Sequence, residues 1–137
     1  MHEAVVERTL DAPPDEVWAA LTEPDRLAAW FWPWQPRIAF VPTPGAAYSF
    51  EADHPTSGPL AVDGRVLAAD RPGRLAFTWR WTDEPGPTTE VDIRLGDLGG
   101  DTQIVVRHRR VDLESTADDY RRAWTDLLDR LASYVER

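Results

Sequence analysis

Histidine, carboxylate and tyrosine side chains are the groups of this chain that could move protons. His108, Asp63, Glu51 and Tyr48 all lie in segments with strand-like alternation, where each could act as an acid or a base on a molecule held beside a sheet. The serines occur in no Gly-x-Ser-x-Gly sequence, and the chain has no His-Glu-x-x-His or His-x-His pair. We therefore assign no catalytic residue, no metal site and no cofactor from these patterns.

His108 is the one histidine for which the strand pattern indicates a direction. In a regular strand, Ile104, Val106 and His108 share one face, and the neighbouring arginines share the other. His108 is therefore predicted to point inward, where it could hydrogen-bond a ligand carbonyl or phenol or act as a general base. Two alternatives stay open. A backbone carbonyl or Tyr120 could satisfy the imidazole, and a bulge in the strand would turn it outward.

Seven tryptophans in 137 residues form a second group of candidates. Trp18 and Trp124 stand at helical core spacing, and we expect both to be structural. Trp79 and Trp81 share the apolar face of one predicted strand. They would either line a ligand cavity or pack beneath a helix.

The segment from residue 30 to residue 34 places four aromatic side chains around a proline. Because prolines disfavour both helix and ladder, the segment is predicted to be irregular. We do not expect Trp30, Phe31, Trp32 and Trp34 all to be buried; some would rim a cavity mouth or a protein interface, for a homodimer or another protein. The alternative is a loop plug that seals one end of the domain.

The helices and strands that must position these side chains are predicted from changes in the spacing at which apolar residues recur along the chain. A strand over His2–Leu10 precedes a helix that starts at Pro13-Pro14-Asp15-Glu16 and ends near Pro24, and a short helix follows at residues 25–29. Six strands are predicted at residues 37–41, 46–52, 60–69, 75–81, 89–95 and 102–109. A long amphipathic helix at residues 117–135, with Ser115 or Thr116 as its N-cap, closes the chain.

The strands predict an antiparallel sheet with one apolar face. Their short connections favour a meander. Leu75, Phe77 and Trp79 alternate with Thr78 and Arg80, as expected of a sheet that is dry on one side only. The long helix must cover the dry face. A curved sheet crossed by one helix tends to enclose space, and the function depends on what fills that space.

Composition narrows the class of partner. The chain has no cysteine, all 15 of its basic residues are arginine, and 24 acidic residues give a net charge of −9. An acidic body repels phosphate backbones, so we expect no nucleic-acid partner. No apolar stretch reaches the roughly 20 residues of a spanning helix, so we expect no membrane insertion. The first residues lack a secretion signal, which predicts a cytoplasmic protein. The length and composition predict one domain over residues 1–137.

The whole chain resembles the START-like (SRPBCC) superfamily, and within it the branch named after the activator of the heat-shock protein 90 ATPase. The segments that carry the resemblance are residues 12–24, Leu27, Trp30, Gly45, Tyr48, Phe50, residues 64–66, residues 74–79, residues 99–102, Ile104, Val106, Trp124, Leu127, Leu128, Leu131 and Tyr134. The Val-Trp-x-x-Leu-Thr-x-Pro sequence and the terminal helix with its tryptophan and leucines are the more specific of these. The chaperone-binding domain of the eukaryotic activators has no counterpart here, so the resemblance gives little reason to expect a chaperone role.

The resemblance implies an α+β helix-grip fold, START-like or Bet v 1-like. In that fold a curved antiparallel sheet wraps around a long carboxy-terminal helix, two short helices follow the first strand, and a deep apolar cavity lies between sheet and helix. Residues expected to contact a ligand there are Trp30, Trp32, Phe40, Tyr48, Phe50, Phe77, Trp79, Trp81, Ile93, Val106, His108, Tyr120, Trp124 and Leu127.

Three functions are consistent with these patterns. The preferred one is a non-catalytic carrier or sensor of a hydrophobic small molecule, aromatic or lipid-like, held in the cavity. The second is a polyketide cyclase or aromatase that uses one of the four acid-base candidates. The third is a protein-interaction or co-chaperone-like module that uses the aromatic segment from residue 30 to residue 34.

Overall fold

The computed structural model describes residues 1–136, and three helices and seven strands lie within them. In chain order they are β1 (His2–Leu10), α1 (Pro14–Thr22), α2 (Pro24–Trp30), β2 (Arg37–Ala39), β3 (Ala47–His54), β4 (Gly58–Asp70), β5 (Arg74–Trp81), β6 (Thr89–Asp97), β7 (Thr102–Val111) and α3 (Glu114–Val135).

The strands form one curved antiparallel sheet in the order β1-β7-β6-β5-β4-β3-β2. Strands β2 to β7 are a meander, as their short connections predicted, and β1 pairs with β7 at the far edge. Helix α3 packs across the concave face, and α1 and α2 close one end. The predicted helix-grip fold is confirmed. None of the helices within residues 1–136 is both long and apolar enough to span a bilayer.

The apolar faces of the elements meet in one core. Leu75 and Phe77 of β5 lie opposite Ile93 and Val91 of β6, and all four are buried. From α3, the buried side chains are Ala117, Trp124, Leu127, Leu128, Leu131 and Ala132. Alternation along the strands and three- to four-residue spacing along the helix thus place the same apolar set on one interface.

The convex face of the sheet, which points away from α3, is less exposed to solvent than predicted. Asp92 alternates with the buried Val91 and Ile93 and so lies on the outer face, yet it is buried because Arg74 donates to its carboxylate at 2.9 Å and Arg94 donates at 3.3 Å. The two guanidinium groups cover the carboxylate while remaining partly exposed themselves. Long arginine side chains can shield a polar group in this way on the outside of a sheet.

Several predicted boundaries differ from the structure by one to three residues. Helix α3 begins at Glu114 with Leu113 as N-cap, not at Ser115 or Thr116; the cap has no side-chain hydrogen bond, and an acidic residue occupies the first turn instead. Helix α2 extends through Trp30. Strand β2 ends at Ala39, since the chain then runs into the prolines at positions 42 and 44.

Gly64 marks a close approach between β3, β4 and β5. It lies opposite Tyr48 in the β3–β4 pairing. A Cβ atom at Gly64 would collide with the backbone oxygen of Thr78 and lie 2.8 Å from the Tyr48 ring. Only glycine therefore lets the tyrosine ring cross the strand at this point.

Candidate functional site

The interior between sheet and α3 is filled by side chains. The space left there is a cavity of about 10 Å³, lined by Leu21, Leu27, Trp30, Phe31, Phe40, Phe50, Leu75, Phe77, Ile93 and Trp124. A single water molecule needs roughly 10 to 15 Å³ measured in this way. The deep cavity implied by the resemblance is therefore not open, because aromatic rings occupy the volume that a ligand would take.

The aromatic residues at the end of α2 and directly after it supply much of that filling. Trp30, Phe31 and Trp32 are buried, with Phe31 packed on Phe50 at a ring distance of 4.8 Å. The polar groups of Trp30, the last residue of α2, have partners in the protein. The Trp30 indole donates to a backbone carbonyl of α1 at 2.8 Å, and Arg130 donates to the Trp30 carbonyl at 2.7 Å.

We expected that not all four aromatic residues would be buried, and in the structure Trp30, Phe31 and Trp32 are buried. Trp34 alone is half-buried, with its ring against His54 at 4.5 Å. The segment has the form of the loop plug that was the alternative. Its burial leaves Trp34 as the partly exposed ring of the segment, and a homodimer or protein partner at this edge stays a prediction.

His108 points inward, as predicted, and is fully buried. The Trp124 indole N–H donates to its Nδ1 at 3.0 Å, and its Nε2 lies 2.7 Å from the Thr89 hydroxyl. Its ring stacks on Tyr120 with a centroid distance of 3.8 Å. The imidazole is therefore satisfied inside the protein, but by Trp124 and Thr89 instead of a backbone carbonyl or Tyr120.

The partners of His108 determine its protonation. An indole N–H can only donate, so Nδ1 must be an unprotonated acceptor and the proton of the neutral ring must be on Nε2. Nε2 then donates to Thr89, whose hydroxyl donates in turn to the Trp79 carbonyl at 3.2 Å. Burial lowers the pKa of His108 to about 3. The imidazole is held neutral in one tautomer, which makes it a poor proton carrier at neutral pH.

The other three acid-base candidates are also engaged by the protein. Asp63 accepts two hydrogen bonds from Arg80, both at 3.1 Å, and these hydrogen bonds lower the pKa of Asp63. Glu51 is exposed and pairs with Arg37 on the outer strands. Tyr48 donates to a backbone carbonyl of β5, and burial raises its pKa. Within residues 1–136, no group of three or more His, Asp or Glu side chains is placed to hold a metal ion.

An open pocket lies at the mouth of the grip, where the β5–β6 loop faces the β7–α3 connection. We call it the mouth pocket. Its volume is about 340 Å³, and it is lined by Arg80, Trp81, Glu84, Pro85, Gly86, Pro87, Thr89, Val111, Asp112, Leu113, Thr116 and Tyr120. The ends of β5, β6, β7 and α3 thus bring two loops together around one space.

Trp81 and Tyr120 are the two aromatic residues that line the mouth pocket. The Trp81 indole donates to the Tyr120 hydroxyl at 3.0 Å. Trp81 also stacks on Trp32, with ring centroids 6.5 Å apart and planes inclined by 11°. Trp81 therefore separates the open pocket from the filled interior.

The charged residues of the mouth pocket leave it negative. Arg80 is neutralised by its two hydrogen bonds to Asp63. Glu84 and Asp112 form no ion pair with any of the residues 1–136. Burial raises the pKa of Tyr120; hydrogen bonds with Trp81, Trp79 and Thr89 oppose that rise, and the negative charge of Glu84 adds a smaller increase.

The predicted ligand contacts fall into three groups. Six line the small interior cavity: Trp30, Phe40, Phe50, Phe77, Ile93 and Trp124. Six others are buried in the surrounding core: Trp32, Tyr48, Trp79, Val106, His108 and Leu127. Trp81 and Tyr120 line the mouth pocket.

Sequence reasoning missed the loop residues of the mouth pocket, among them Glu84, Asp112, Leu113 and Thr116. The available signal was the antiparallel order itself. It brings the loop after β5 to the same end of the sheet as the connection after β7. Pro85-Gly86-Pro87 marked that loop as a turn, but turn residues alone do not indicate a pocket.

Comparisons with known proteins agree with the fold. The sequence model of the family described as "Activator of Hsp90 ATPase homolog 1-like protein" matches residues 11–136. No curated protein sequence matches the chain. The solved structure of protein CV1439 from Chromobacterium violaceum is 24% identical, with a TM-score of 0.85, and the match covers 100% of this chain and 99% of that one.

Two other similar structures are slightly closer in sequence. CalU16 from Micromonospora echinospora is 27% identical, with a TM-score of 0.76 over 97% of this chain and 75% of that one. DynU16, a protein in the dynemicin biosynthetic locus, is 28% identical with a TM-score of 0.81; the match covers 96% of this chain but only 46% of DynU16. With a family model that spans all but the first strand, the chain belongs to the family of activator of Hsp90 ATPase homolog 1-like proteins.

Proposed function

We propose that this protein binds a small hydrophobic molecule with an aromatic ring, as a carrier or sensor, and that the ligand occupies the mouth pocket. The observation that carries the proposal is an open space of about 340 Å³ whose lining includes an indole and a phenol that are hydrogen-bonded to each other. Sites for small molecules are typically concave, about 300 to 1,000 Å³ in volume, and lined by apolar groups with a few polar ones.

The walls of the pocket suit a flat ring. The β5–β6 loop contributes Pro85 and Pro87 to the lining, the β7–α3 connection contributes Leu113, and Trp81 contributes a half-buried indole. Aromatic rings pack well on such surfaces in offset or edge-on geometry. Leu113 is 57% exposed, so its side chain is accessible to a molecule in the pocket.

The site lies outside the interior that sequence reasoning favoured. A ligand between sheet and α3 would have to displace packed aromatic rings, whereas a ligand in the mouth pocket displaces only solvent. The likeness to DynU16, a protein in a biosynthetic locus, supports a small molecule as the partner.

The cyclase or aromatase alternative has weaker support. His108 is locked as a neutral imidazole, Asp63 is ion-paired, Tyr48 donates to the backbone and Glu51 lies on the outer strands. None of the four presents a free proton-transfer group to the mouth pocket. We therefore prefer binding without turnover.

The proposal is tested by calorimetric titration with a panel of flavonoids, polyketide-like aromatics and fatty acids. Thr116 lines the pocket, and Ser115 beside it is exposed and does not. A Thr116→Trp variant should fill the pocket and abolish binding of any ligand found, while Ser115→Trp should bind as the wild type does. Failure of every aromatic in the panel to bind, or equal binding by both variants, would contradict the proposal.

A further inference from the structure

The two loops that border the mouth pocket carry acidic side chains and no basic ones. Asp83 and Glu84 lie in the β5–β6 loop, and Asp112 lies in the β7–α3 connection. All three are exposed, and none forms an ion pair within residues 1–136. Glu84 and Asp112 line the pocket itself. The described part of the chain therefore leaves two carboxylates at the proposed ligand site without a cationic partner.

The arginines near the pocket are occupied by other carboxylates. Arg80, which lines the pocket, donates to both oxygens of Asp63 at 3.1 Å. Arg109 and Arg110 lie near the end of β7, and both pair with Glu90, at nitrogen–oxygen distances of 3.5 and 3.8 Å. A cation for the two pocket carboxylates would therefore have to come from a bound molecule.

Two aromatic rings lie in the same lining as these carboxylates. Trp81 and Tyr120 both line the pocket and are partly exposed. Glu84 lies close enough to the phenol for its negative charge to contribute to the raised pKa of Tyr120. An ammonium group is attracted to the faces of tryptophan and tyrosine rings and donates hydrogen bonds to carboxylates. The lining thus combines the two kinds of group that hold a protonated amine.

The carboxylates also disfavour the other kinds of ligand group. A carboxylate or phenolate would meet their negative charge, with no free cation in the lining to offset it. An uncharged ring that covers Glu84 or Asp112 would remove water from the carboxylate without replacing its hydrogen bonds. A protonated amine replaces those hydrogen bonds and offsets the charge at the same time.

We propose that the ligand of the mouth pocket carries a protonated amine beside its aromatic ring. Glu84 and Asp112 accept hydrogen bonds from the amine. The rings of Trp81 and Tyr120 pack against the carbon atoms beside it, which share its positive charge. This inference rests on the proposed function, because it takes the mouth pocket as the ligand site. It narrows the ligand class from hydrophobic aromatics in general to cationic ones; neutral aromatics bind more weakly, and fatty acids fall outside the class.

Three naphthalene probes of similar shape separate these kinds of ligand. Naphthylmethylamine is a cation at neutral pH, naphthylmethanol is uncharged, and naphthoate is an anion. Calorimetry at low salt should show the amine binding about tenfold tighter than the alcohol, the combined effect expected of a cation–π contact and partly exposed ion pairs. Naphthoate should bind most weakly. Added salt should narrow the difference between amine and alcohol, because ions screen exposed charges.

A double variant, Glu84→Gln with Asp112→Asn, should bring the affinities for amine and alcohol to within about twofold of each other. Its matched control is Asp70→Asn with Asp126→Asn. These two acids are exposed and do not line the pocket, so the control removes the same total charge elsewhere and should keep the wild-type preference. The control thus separates recognition in the pocket from general attraction of a cation to an acidic protein.

Four results would overturn this inference while leaving the mouth pocket as a binding site. They are equal affinity for amine and alcohol in the wild type, tightest binding of naphthoate, an unchanged preference in the pocket variant, and loss of the preference in the control. Binding of the amine, but not of the alcohol, to Thr116→Trp would also overturn it, because the amine would then bind elsewhere. Binding of both to that variant, or binding of none of the probes to the wild type, would overturn the proposed function as well.

Discussion

The pH dependence of stability should report the locked imidazole of His108. The folded protein holds this ring neutral, with the Trp124 N–H aimed at Nδ1, whereas the unfolded chain exposes it to water. Protonation of Nδ1 in the folded state would set two N–H groups against each other in a buried site. On acidification, the imidazole therefore binds a proton in the unfolded state but not in the folded state. Because of this difference, acid favours unfolding.

The size of the effect follows from the two pKa values. The pKa of His108 is about 3 in the folded protein and about 6.5 when unfolded. The contribution to stability is fully present above pH 6.5 and is lost progressively as the pH falls toward 3. Each pH unit within that window is worth about 1.4 kcal/mol, so the loss between pH 7 and pH 5 is about 2 kcal/mol.

Urea unfolding followed by tryptophan fluorescence at a series of pH values measures this quantity. The protein has 24 carboxylates that also respond to acid, so the wild type must be compared with His108→Gln, which keeps one donor and one acceptor but does not titrate. The difference between the two curves isolates His108. A difference that stays constant from pH 7 to pH 5 would refute the locked-imidazole argument, because it would mean that the folded protein accepts the proton.

The remaining predictions concern packing. Gly64→Ala should destabilise the protein by about 1 to 3 kcal/mol, because the new Cβ meets the Thr78 carbonyl; the same change at Gly96, a strand glycine with room beside it, should cost clearly less in the same urea assay. Trp124→Ala should cost about 3 to 5 kcal/mol as a truncation in a packed core. Trp124→Phe should cost less, and by removing the donor to Nδ1 it should flatten the pH dependence that His108 produces; an unchanged slope would contradict the role of that hydrogen bond.

Much of the fold was predictable because it depends on periodicity and turn residues. Alternation in β5 and β6, and the spacing of apolar residues in α3, are dictated by backbone geometry and burial, which a single sequence displays directly. The inward direction of His108 follows from the same rule. The N-cap of α3 was less predictable, since Glu114, Ser115 and Thr116 are all suited to a helix start.

The candidate site was predicted less well, for reasons of volume and distance. Periodicity shows that Phe31 and Trp32 are apolar, but it does not show whether their rings fill a cavity or border one. The mouth pocket joins Glu84 to Leu113, residues far apart in sequence whose proximity depends on loop paths. The identity of the partners of His108 likewise required the crossing of β6, β7 and α3, because Thr89 and Trp124 lie on different elements.

The filled interior also has a consequence for design. The backbone around the interior could enclose a cavity. Aromatic side chains fill that space instead, above all those of Phe31 and Trp32. Substituting those residues by alanine would create an apolar cavity while the strands and α3 keep their positions. Engineered apolar chambers of about 150 Å³ stay dry and admit benzene-sized guests. The volume available to a ligand inside this fold is thus set by the size of the interior side chains. Evolution or protein engineering can change that volume without changing the fold.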